Sequence, residues 1–394
     1  MRFLHTADWH IGKTLVGRSR LDEQEQVSAE IVDIAKRERI DCVLMAGDIF
    51  DSPAPTADAQ RLVCDALAEI AGAGMAAAIV GGNHDHRRVA ALRKLAGRLQ
   101  IFIRPGPRDG DEGGVITFPK NGEQAKIAML SWIPESRIVD SRQIQRPRNE
   151  WNQVYAEYVA ARCSGLAKGF AANTINILLA HLFVDGGEAT GSERQAHVSQ
   201  AFAVRPDQLP PAHYIALGHL HRPQEVAAAS QYDNGRRCVF GRCVYAGSPL
   251  QLDFGECGQQ KRVVIVDARV ASPTNVESIA LVSGRKLRDV VTTIDRLPSV
   301  AGEVGSDFLR VVVRARARIS GLSQHVSAAL PNALAVEQDL MTTPAVVPPS
   351  PDQRSPRERF RQFLREQKNL AVSPEMLEAF DRLYDEVKHA ADEA

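Results

Sequence analysis

Carboxylate, imidazole and amide side chains follow directly after five short apolar segments of this sequence. The segments RFLHT, CVLMAG, AAAIV, INILLA and YIALG lead into ADWH, DIFD, GGNHD, H and HLH, respectively. Such side chains bind metal ions, transfer protons and contact phosphate groups. The residues of chemical interest are Asp8, His10, Asp48, Asn83, His84, Asp85, His181, His219 and His221.

Each of these residues, taken alone, has an ordinary structural interpretation. His181 after an apolar run is typical of a hydrogen-bonded core histidine, Asp48 could cap a helix, and Asp8 could belong to a turn. The GHLH segment differs because its two imidazoles, at positions i and i+2 of an extended chain, face the same way. Recurrence of the pattern after five segments therefore favours one shared metal site.

The donor set mixes nitrogen and oxygen and contains no thiolate. Two carboxylates, four imidazoles and an amide suit divalent ions such as manganese, iron or zinc, and the absence of thiolates argues against a structural zinc site. The number of ligands exceeds what one ion needs, so the sequence predicts two ions. Two ions about 3.5–4 Å apart are the arrangement that serves in-line phosphoester hydrolysis.

The elements that position these residues are predicted from hydrophobic periodicity. Between the apolar runs, Val27, Ile31 and Ile34 recur at helical spacing, as do Leu62, Val63 and Leu67. This alternation predicts an α/β layered domain, in which functional groups gather beyond the carboxyl ends of the strands. Eight runs read as buried strands, at residues 2–6, 42–47, 76–80, 126–132, 175–181, 214–219, 243–247 and 262–267.

Length and composition are those of an ordinary globular protein. The 394 residues predict two or three domains, and Lys+Arg balance Asp+Glu at 48 each, so a nucleic-acid surface would have to be local. No apolar run reaches the roughly 18 residues of a membrane helix, and Asp8 and His10 exclude a signal peptide at the N-terminus. Six cysteines without a CxxC motif indicate reduced thiols, so we expect a cytoplasmic protein without membrane contact.

The pattern of apolar residues along the sequence changes at Gly284. KLRDVVTTI, the alternating DFLRVVVRARARI and a helix-like LSQHVSAAL predict a small α+β module that extends to about residue 341. The proline-rich segment that follows is typical of a stiff, extended linker.

Two helical segments follow the linker, at residues 356–368 and 374–392. In the second, Leu377, Phe380, Leu383, Tyr384 and Val387 form one apolar stripe. The stripe could pack against the protein's own domain or lie in the groove of a partner protein, and we favour the partner.

The motifs DWH, GDIFD, GNHD, AH and GHLH, in this order and spacing, resemble the five motifs of the calcineurin-like metallophosphoesterases. More narrowly, FLHTADWHIGKTL, AGDIFDS, ALGHLHRPQ and YAGSPLQLDFGE resemble the SbcD family of DNA repair nuclease subunits. The resemblance implies a four-layer αββα sandwich with a small α+β capping domain and a C-terminal helical tail. It divides the chain into a nuclease domain at 1–280, a DNA-capping domain at 281–341, the linker at 342–356 and ATPase-binding helices at 357–394.

The resemblance also implies roles for individual residues. One metal ion would be held by Asp8, His10, Asp48 and His221, and the second by Asp48, Asn83, His181 and His219, so that Asp48 bridges the two. Both ions are expected to be Mn²⁺. His84 would contact the scissile phosphate and protonate the leaving oxygen, and Asp85 would orient His84 by accepting its other ring N–H.

The activity implied by the resemblance is metal-dependent DNA cleavage in repair, recombination and replication. We expect 3′→5′ exonuclease action on duplex ends, endonuclease action on single strands or hairpins, and a nucleoid-associated location. The expected partners are DNA, a second copy bound through helices around 21–37 and 56–71, and an SbcC-type SMC-like ATPase bound through the tail.

Two alternatives remain open at this point. The first is a phosphodiesterase or nucleotidase of the same fold that acts on a small molecule, although such an enzyme has no need of the linker and tail helices. The second is a DNA-end-binding scaffold with a vestigial metal site. The complete ligand set and His84 weigh against the scaffold, because a vestigial site should have lost some ligands.

Overall fold

The structure, a computed structural model, describes residues 1–85, 89, 92, 96, 99–134, 151–193, 203–226, 231–233, 236–238, 241–270, 272–341, 355–368 and 373–392. Residues 1–340 form one compact unit and residues 341–394 a second. Most of the predicted linker, residues 342–354, lies outside the described residues, and Pro356 already begins a helix.

The strands, in chain order, are β1 (Arg2–Thr6), β2 (Thr14–Leu15), β3 (Arg18–Ser19), β4 (Cys42–Met45), β5 (Ala76–Val80), β6 (Ile101–Arg104), β7 (Val115–Lys120), β8 (Glu123–Leu130), β9 (Ile175–His181), β10 (Tyr214–Gly218), β11 (Gln224–Val226), β12 (Gln231–Asp233), β13 (Arg236–Cys238), β14 (Arg242–Tyr245), β15 (Arg262–Arg269), β16 (Ser272–Ala280), β17 (Leu287–Thr292), β18 (Phe308–Ala315) and β19 (Ala333–Leu340). The α-helices are α1 (Leu21–Arg37), α2 (Ala57–Gly72), α3 (Trp151–Ala167), α4 (Leu297–Val304), α5 (Leu322–Ala329), α6 (Pro356–Lys368) and α7 (Pro374–Asp392). All eight predicted strands are therefore confirmed, as are both tail helices.

Two six-stranded sheets face each other in the first unit. The first has the order β16-β15-β1-β4-β5-β6 and the second the order β11-β14-β10-β9-β8-β7. Strands β1, β4 and β5 are parallel neighbours in the first sheet, and β8, β9 and β10 are parallel neighbours in the second. Parallel neighbours end at the same edge of a sheet, so the predicted functional residues are collected at two facing edges.

Apolar side chains form three layers of core around these sheets. Alternate strand residues such as Leu44 and Ile177 meet between the two sheets, because successive side chains of a strand point to opposite faces. On the outer faces, α1 and α2 cover the first sheet, with Ile31 and Leu62 buried, and α3 covers the second, with Val159 buried. The predicted four-layer αββα arrangement is confirmed.

Helices α1 and α2 begin in different ways. Thr56 precedes α2 and its hydroxyl accepts a hydrogen bond from the backbone N–H of Ala59 at 3.3 Å, which satisfies one of the unpaired donors of the first turn. No side-chain cap precedes α1, but Asp22 and Glu23 lie in its first turn and Lys36 and Arg37 in its last. Acidic residues at the N-terminus and basic residues at the C-terminus interact favourably with the helix dipole.

The strands β17, β18 and β19 form a separate parallel three-stranded sheet. Together with α4 and α5 it encloses its own small core around Leu309, Val311 and Val326. A second apolar cluster, of Leu15, Phe254, Leu287 and Phe308, joins this sheet to the larger body. The α+β module expected after Gly284 is present, and its treatment as a distinct DNA-capping domain remains a proposal.

None of the helices in the described part of the chain combines the length and the apolar composition needed to cross a bilayer. Five of the six cysteines, Cys42, Cys64, Cys163, Cys243 and Cys257, have side chains that the structure describes, and these five are free thiols.

The two sheets are in close contact where β10 ends opposite the turn after β4. A Cβ atom added to Gly218 would overlap the backbone carbonyl oxygen of Ala46, so only glycine fits between the sheets at this point. We predict that Gly218→Ala lowers the free energy of unfolding by about 1–3 kcal/mol, because the backbone cannot move aside as a flexible side chain could. Urea denaturation of the wild type and the variant measures this loss, provided that the dependence of the unfolding free energy on urea concentration has the same slope in both.

The matched control is Gly165→Ala in α3, where no atom lies within 4 Å of the added Cβ. This substitution should raise the free energy of unfolding by about 0.5–1 kcal/mol, because alanine loses less backbone entropy than glycine in a helix. A Gly218→Ala protein as stable as the wild type would contradict the close approach of the two sheets.

Candidate metal centre

The seven predicted metal ligands lie together where the two sheets meet at their carboxyl ends. Asp8 and His10 follow β1, Asp48 follows β4, and Asn83 follows β5, all in the first sheet. The second sheet supplies the remaining three, His181 at the end of β9 and His219 and His221 after β10. Three groups have ligand atoms within 4.8 Å of one another: Asp8, His10 and His221; Asp8, Asp48 and His181; and His10, Asp48 and His84.

Four of these ligands have backbone conformations that L-residues rarely adopt. The φ angles are 51° at Asp8, 45° at His10, 46° at Asp48 and 109° at His219. Such conformations cost on the order of 1–3 kcal/mol each and persist only where the surroundings impose them. Here the imposing contacts are backbone hydrogen bonds from Asp8 N to Gly47 O at 3.1 Å and from His10 N to Asp48 O at 2.9 Å.

Two glycines make room for the ligands. A Cβ atom at Gly82 would overlap the carboxylate of Asp48, and one at Gly47, whose φ is 88°, would overlap the imidazole of His181. The glycine in GGNHD therefore permits close approach of a side chain from the neighbouring strand, and the glycine in AGDIFD permits close approach of a side chain from the facing sheet.

The group of Asp8, His10 and His221 brings ring nitrogens of the two histidines close together. The Nε2 atoms of the two rings are 3.2 Å apart, and the Nδ1 of His10 lies 3.1 Å from a carboxylate oxygen of Asp51. Burial lowers the pKa of His10 to about 4, so its ring is neutral. Since the Asp51 carboxylate accepts the only ring proton of His10, the Nε2 of His10 presents a lone pair to the cluster.

In the second group of residues, the Nε2 of His181 also carries a lone pair. His181 donates its Nδ1 proton to the backbone carbonyl of Ala46 at 2.7 Å, and burial lowers the pKa of this ring. Its Nε2 lone pair then faces the Oδ1 of Asn83 at 3.0 Å and an oxygen of Asp48 at 3.5 Å. The Nδ1 of His219 lies 3.2 Å from the same Asn83 oxygen.

Lone pairs that converge without hydrogen atoms repel one another unless a cation lies among them. The buried carboxylates add to this repulsion, and burial together with the negative charge of Asp48 accordingly raises the pKa of Asp8 well above its usual value. Mixed nitrogen and oxygen donors in this arrangement suit a borderline divalent metal ion. The residues present therefore fit the expected metal centre.

His84 lies at the edge of the clusters, with 14% of its side chain exposed. Its ring crosses that of His10 nearly at right angles, with centroids 4.8 Å apart. The Nδ1 of His84 donates to the backbone carbonyl of Asp51 at 2.8 Å, which leaves Nε2 as the position where a proton can be exchanged.

The predicted contact between Asp85 and His84 is wrong. Asp85 is fully buried, and its carboxylate accepts three backbone N–H groups instead, from Ile49 at 2.6 Å, Phe50 at 3.0 Å and Gly82 at 3.0 Å. These bonds tie the turn after β5 to the turn after β4. The carbonyl of Asp51, not Asp85, orients the ring of His84, and a backbone acceptor of this kind has no sequence signature.

Two further side chains contact the centre although no role was assigned to them from the sequence. Asp51 fixes the ring of His10, as described above. Trp132 stacks on His219 with ring centroids 5.0 Å apart and meets His181 nearly at right angles at 6.1 Å. Trp132 follows β8, the parallel neighbour of β9, so its place after a sixth strand end is the signal that could have found it.

Three side chains outside the predicted ligand set contact His221. The carboxylate of Glu193 accepts the backbone N–H of His221 at 2.9 Å, and Ser192 and Glu256 lie beside its Nδ1 at 2.6 and 3.3 Å. Glu256 belongs to the segment YAGSPLQLDFGE, which carried the family resemblance without any assigned function.

The family model for calcineurin-like phosphoesterases matches residues 1–223 of this chain. The matched stretch ends just after His221 and therefore includes all seven predicted ligands, together with His84.

Several curated relatives are named as the SbcD component of the nuclease SbcCD. The relative from Bacillus subtilis is 36% identical over 290 residues, which are 73% of this chain and 71% of that protein. The relative from Rhodobacter capsulatus is 32% identical over 358 residues and 84% of each chain. The relative from Escherichia coli is 27% identical over 294 residues, 71% of this chain and 68% of that protein.

Proposed function

Because this chain belongs to the calcineurin-like phosphoesterase family, and within it to the group of the SbcD nuclease subunits, we propose that it is a metal-dependent DNA nuclease that acts with an SbcC-type ATPase subunit. It is a hydrolase of phosphodiester bonds. The observation that carries this proposal is the convergence of the seven predicted ligand side chains, with His84 at their exposed edge.

The proposed ligand sets divide the seven residues between two Mn²⁺ ions. Asp8, His10, Asp48 and His221 would hold the first ion. Asp48, Asn83, His181 and His219 would hold the second. The position of Asp48 supports a bridging role, because one of its oxygens lies 3.6 Å from the Nε2 of His10 and 3.5 Å from the Nε2 of His181. When bound, two such ions neutralise charge on the phosphate and lower the pKa of a water molecule.

His84 is the proposed proton donor to the leaving oxygen. The carbonyl of Asp51 holds its Nδ1 proton, so the ring keeps one orientation while Nε2 gains or loses a proton. A ring fixed in this way at the edge of the centre can contact a phosphate oxygen and then protonate the departing group. Asp85 acts on the same turn indirectly, through the three backbone N–H groups that it accepts.

The finer activity follows from the family resemblance. We propose 3′→5′ exonuclease action on duplex ends and endonuclease action on single strands or hairpins, in repair, recombination and replication. Work on chromosomal DNA would place the protein in the cytoplasm at the nucleoid. The module formed by β17 to β19 with α4 and α5 is the proposed DNA-capping domain.

The groove between α1 and α2 is the proposed contact with a second copy of the chain. Its cavity of about 310 Å³ has apolar walls, to which Ala29, Val32, Leu62 and Ala66 contribute, and a charged rim. A second pair of the same helices would cover the groove and bury Ala29, which is exposed in the single chain. This proposal gives a twofold symmetric dimer.

The helices α6 and α7 are the proposed binding element for the ATPase. They pack on each other through Phe360 and Phe380, whose rings stack at 4.3 Å, and through an ion pair of Arg357 with Asp381 at 3.1 Å. The side chain of Leu383 is 62% exposed and that of Tyr384 45%. An apolar surface of this kind on a helix pair fits the groove-binding mode of partner recognition.

We predict that His84→Ala abolishes DNA cleavage while leaving metal binding intact. The rate should fall by roughly 10²–10⁴-fold, because the leaving oxygen loses its proton donor. End-labelled duplex and hairpin DNA, incubated with Mn²⁺, with Mg²⁺ or with a chelator, measures the rate. Mn²⁺ titration of the same variant should still give two ions per chain.

His325→Ala is the matched control, since His325 is exposed on the proposed capping domain far along the chain from the motifs. It should cut DNA at the wild-type rate. Intact DNA together with hydrolysis of a small phosphodiester by the wild-type protein would favour the small-molecule enzyme. Absence of all hydrolysis, with and without an SbcC-type ATPase, would favour the scaffold.

Ala29→Arg should convert the dimer into a monomer. Ala29 is exposed and lines the groove, so the arginine would place a bulky charge in the proposed apolar contact. Sedimentation velocity should give twice the chain mass of 43.1 kDa for the wild type and 43.1 kDa for the variant. Asp22→Arg, on the same helix but away from the groove, should remain dimeric, and a dimeric Ala29→Arg protein would refute this interface.

Leu383→Asp should prevent binding of an SbcC-type ATPase without changing hydrolysis of a small phosphodiester. The substitution places a charge on the exposed apolar surface of α7 and leaves the first unit unchanged. Co-purification of the two subunits measures binding, with Glu378→Ala on the same helix as the control. Undiminished binding would instead support packing of the tail against its own domain.

A further inference from the structure

We propose that Glu256 is a positioning residue for His221 and acts through the hydroxyl of Ser192 to keep the Nε2 lone pair of His221 directed at the metal centre. The inference rests on the proposed metal centre but not on DNA as the substrate. Neither Glu256 nor Ser192 belongs to the proposed ligand sets.

The direction of the hydrogen bonds among His221, Ser192 and Glu256 follows from the chemistry of their side chains. The Oγ of Ser192 lies 2.6 Å from the Nδ1 of His221 and 2.5 Å from the Oε1 of Glu256. A carboxylate accepts hydrogen bonds and does not donate them, so the hydroxyl proton of Ser192 points to Glu256. The serine oxygen then accepts the Nδ1 proton of His221, and the Nε2 of that ring is left with a lone pair.

Lys261 keeps Glu256 ionised and in place. Its Nζ lies 2.6 Å from the second carboxylate oxygen, and both residues are buried, with side chains 5% and 0% exposed. An ammonium group in direct contact with a buried carboxylate stabilises the ionised form of that carboxylate. Lys261 also donates to the backbone carbonyl of His221 at 2.8 Å, so the pair holds the main chain as well as the ring.

His221 differs from His10 and His181, two other proposed ligands, in the kind of group that its Nδ1 meets. The Nδ1 of His10 faces the Asp51 carboxylate and that of His181 faces the Ala46 carbonyl, and both partners can only accept. A serine hydroxyl can either donate or accept. Ser192 alone would therefore leave the tautomer of His221 open, and Glu256 is the residue that decides it.

The substitution that tests this is Glu256→Gln, which keeps the shape and removes the obligatory acceptor. The new amide can donate to Ser192, so the hydroxyl can turn and donate to the Nδ1 of His221, and the ring proton moves to Nε2. Loss of such a supporting contact typically weakens metal affinity by about 10–100-fold. We expect one of the two Mn²⁺ ions to bind more weakly by this factor in calorimetric titration of the full-length protein, while the other is unchanged.

A second readout reports the tautomer directly. In the metal-free protein labelled with ¹⁵N-histidine, the two ring nitrogens of His221 should show a protonated Nδ1 in the wild type and a protonated Nε2 in Glu256→Gln. The signals are assigned by their absence in His221→Asn. A purely structural role of Glu256 would not move this proton.

Glu23→Gln is the matched control. Glu23 also forms a buried ion pair, with Arg20 at 2.8 Å, but it is not in contact with the proposed ligands. This variant should bind two Mn²⁺ ions with wild-type affinity. If Glu256→Gln fails to fold by circular dichroism, Glu256→Gln/Lys261→Met removes the uncompensated ammonium group, and the same two measurements decide.

Wild-type affinity at both sites and an unchanged tautomer in a folded Glu256 variant would overturn this inference while leaving the proposed function intact. A wild-type protein that binds no Mn²⁺ would overturn the metal centre itself, and with it the role of Glu256. The two failures are therefore distinguishable.

Discussion

The close contact between the turn after β4 and the ends of β9 and β10 is the constraint on which the site depends. The carbonyl of Ala46 accepts the Nδ1 proton of His181, and the same residue lies against Gly218. Asp8 adds a second link between the sheets, because its carboxylate accepts the backbone N–H of His219 at 3.0 and 3.1 Å. Without these contacts, ligands from the two sheets could not share one centre.

The centre collects interactions that are unfavourable on their own. Three carboxylates, those of Asp8, Asp48 and Asp85, are buried within one small region, and burial together with the charge of Asp48 raises the pKa of Asp85 to about 7. Four ligands also carry strained backbone angles. The surrounding core and backbone hydrogen bonds maintain this arrangement, as is common where a site is built for function at the expense of stability.

The support of His221 extends beyond the ligands toward the three-stranded sheet. Gln251 donates to the backbone carbonyl of Glu256 at 2.9 Å and accepts the backbone N–H of Leu287, the first residue of β17, at 2.6 Å. Phe254, two residues before Glu256, packs with Leu287 and Phe308 in the cluster that joins the two bodies. One short loop thus serves both the metal centre and the attachment of the smaller module.

The sequence by itself determined the eight predicted strands and the candidate ligands, because hydrophobic periodicity and motif spacing are local properties of the chain, whereas the αββα layer order was implied by the family resemblance. Tertiary structure alone decided which acceptor each imidazole meets. The family resemblance implied that Asp85 orients His84, yet the carboxylate of Asp85 lies against the backbone of Ile49 and Phe50. The groups that contact these imidazoles come from other loops. Asp51 contacts His10 through its carboxylate and His84 through its backbone carbonyl. Ser192 and Glu256 lie beside His221. Hydrogen-bond partners are set by the three-dimensional meeting of loops, which spacing along the chain does not encode.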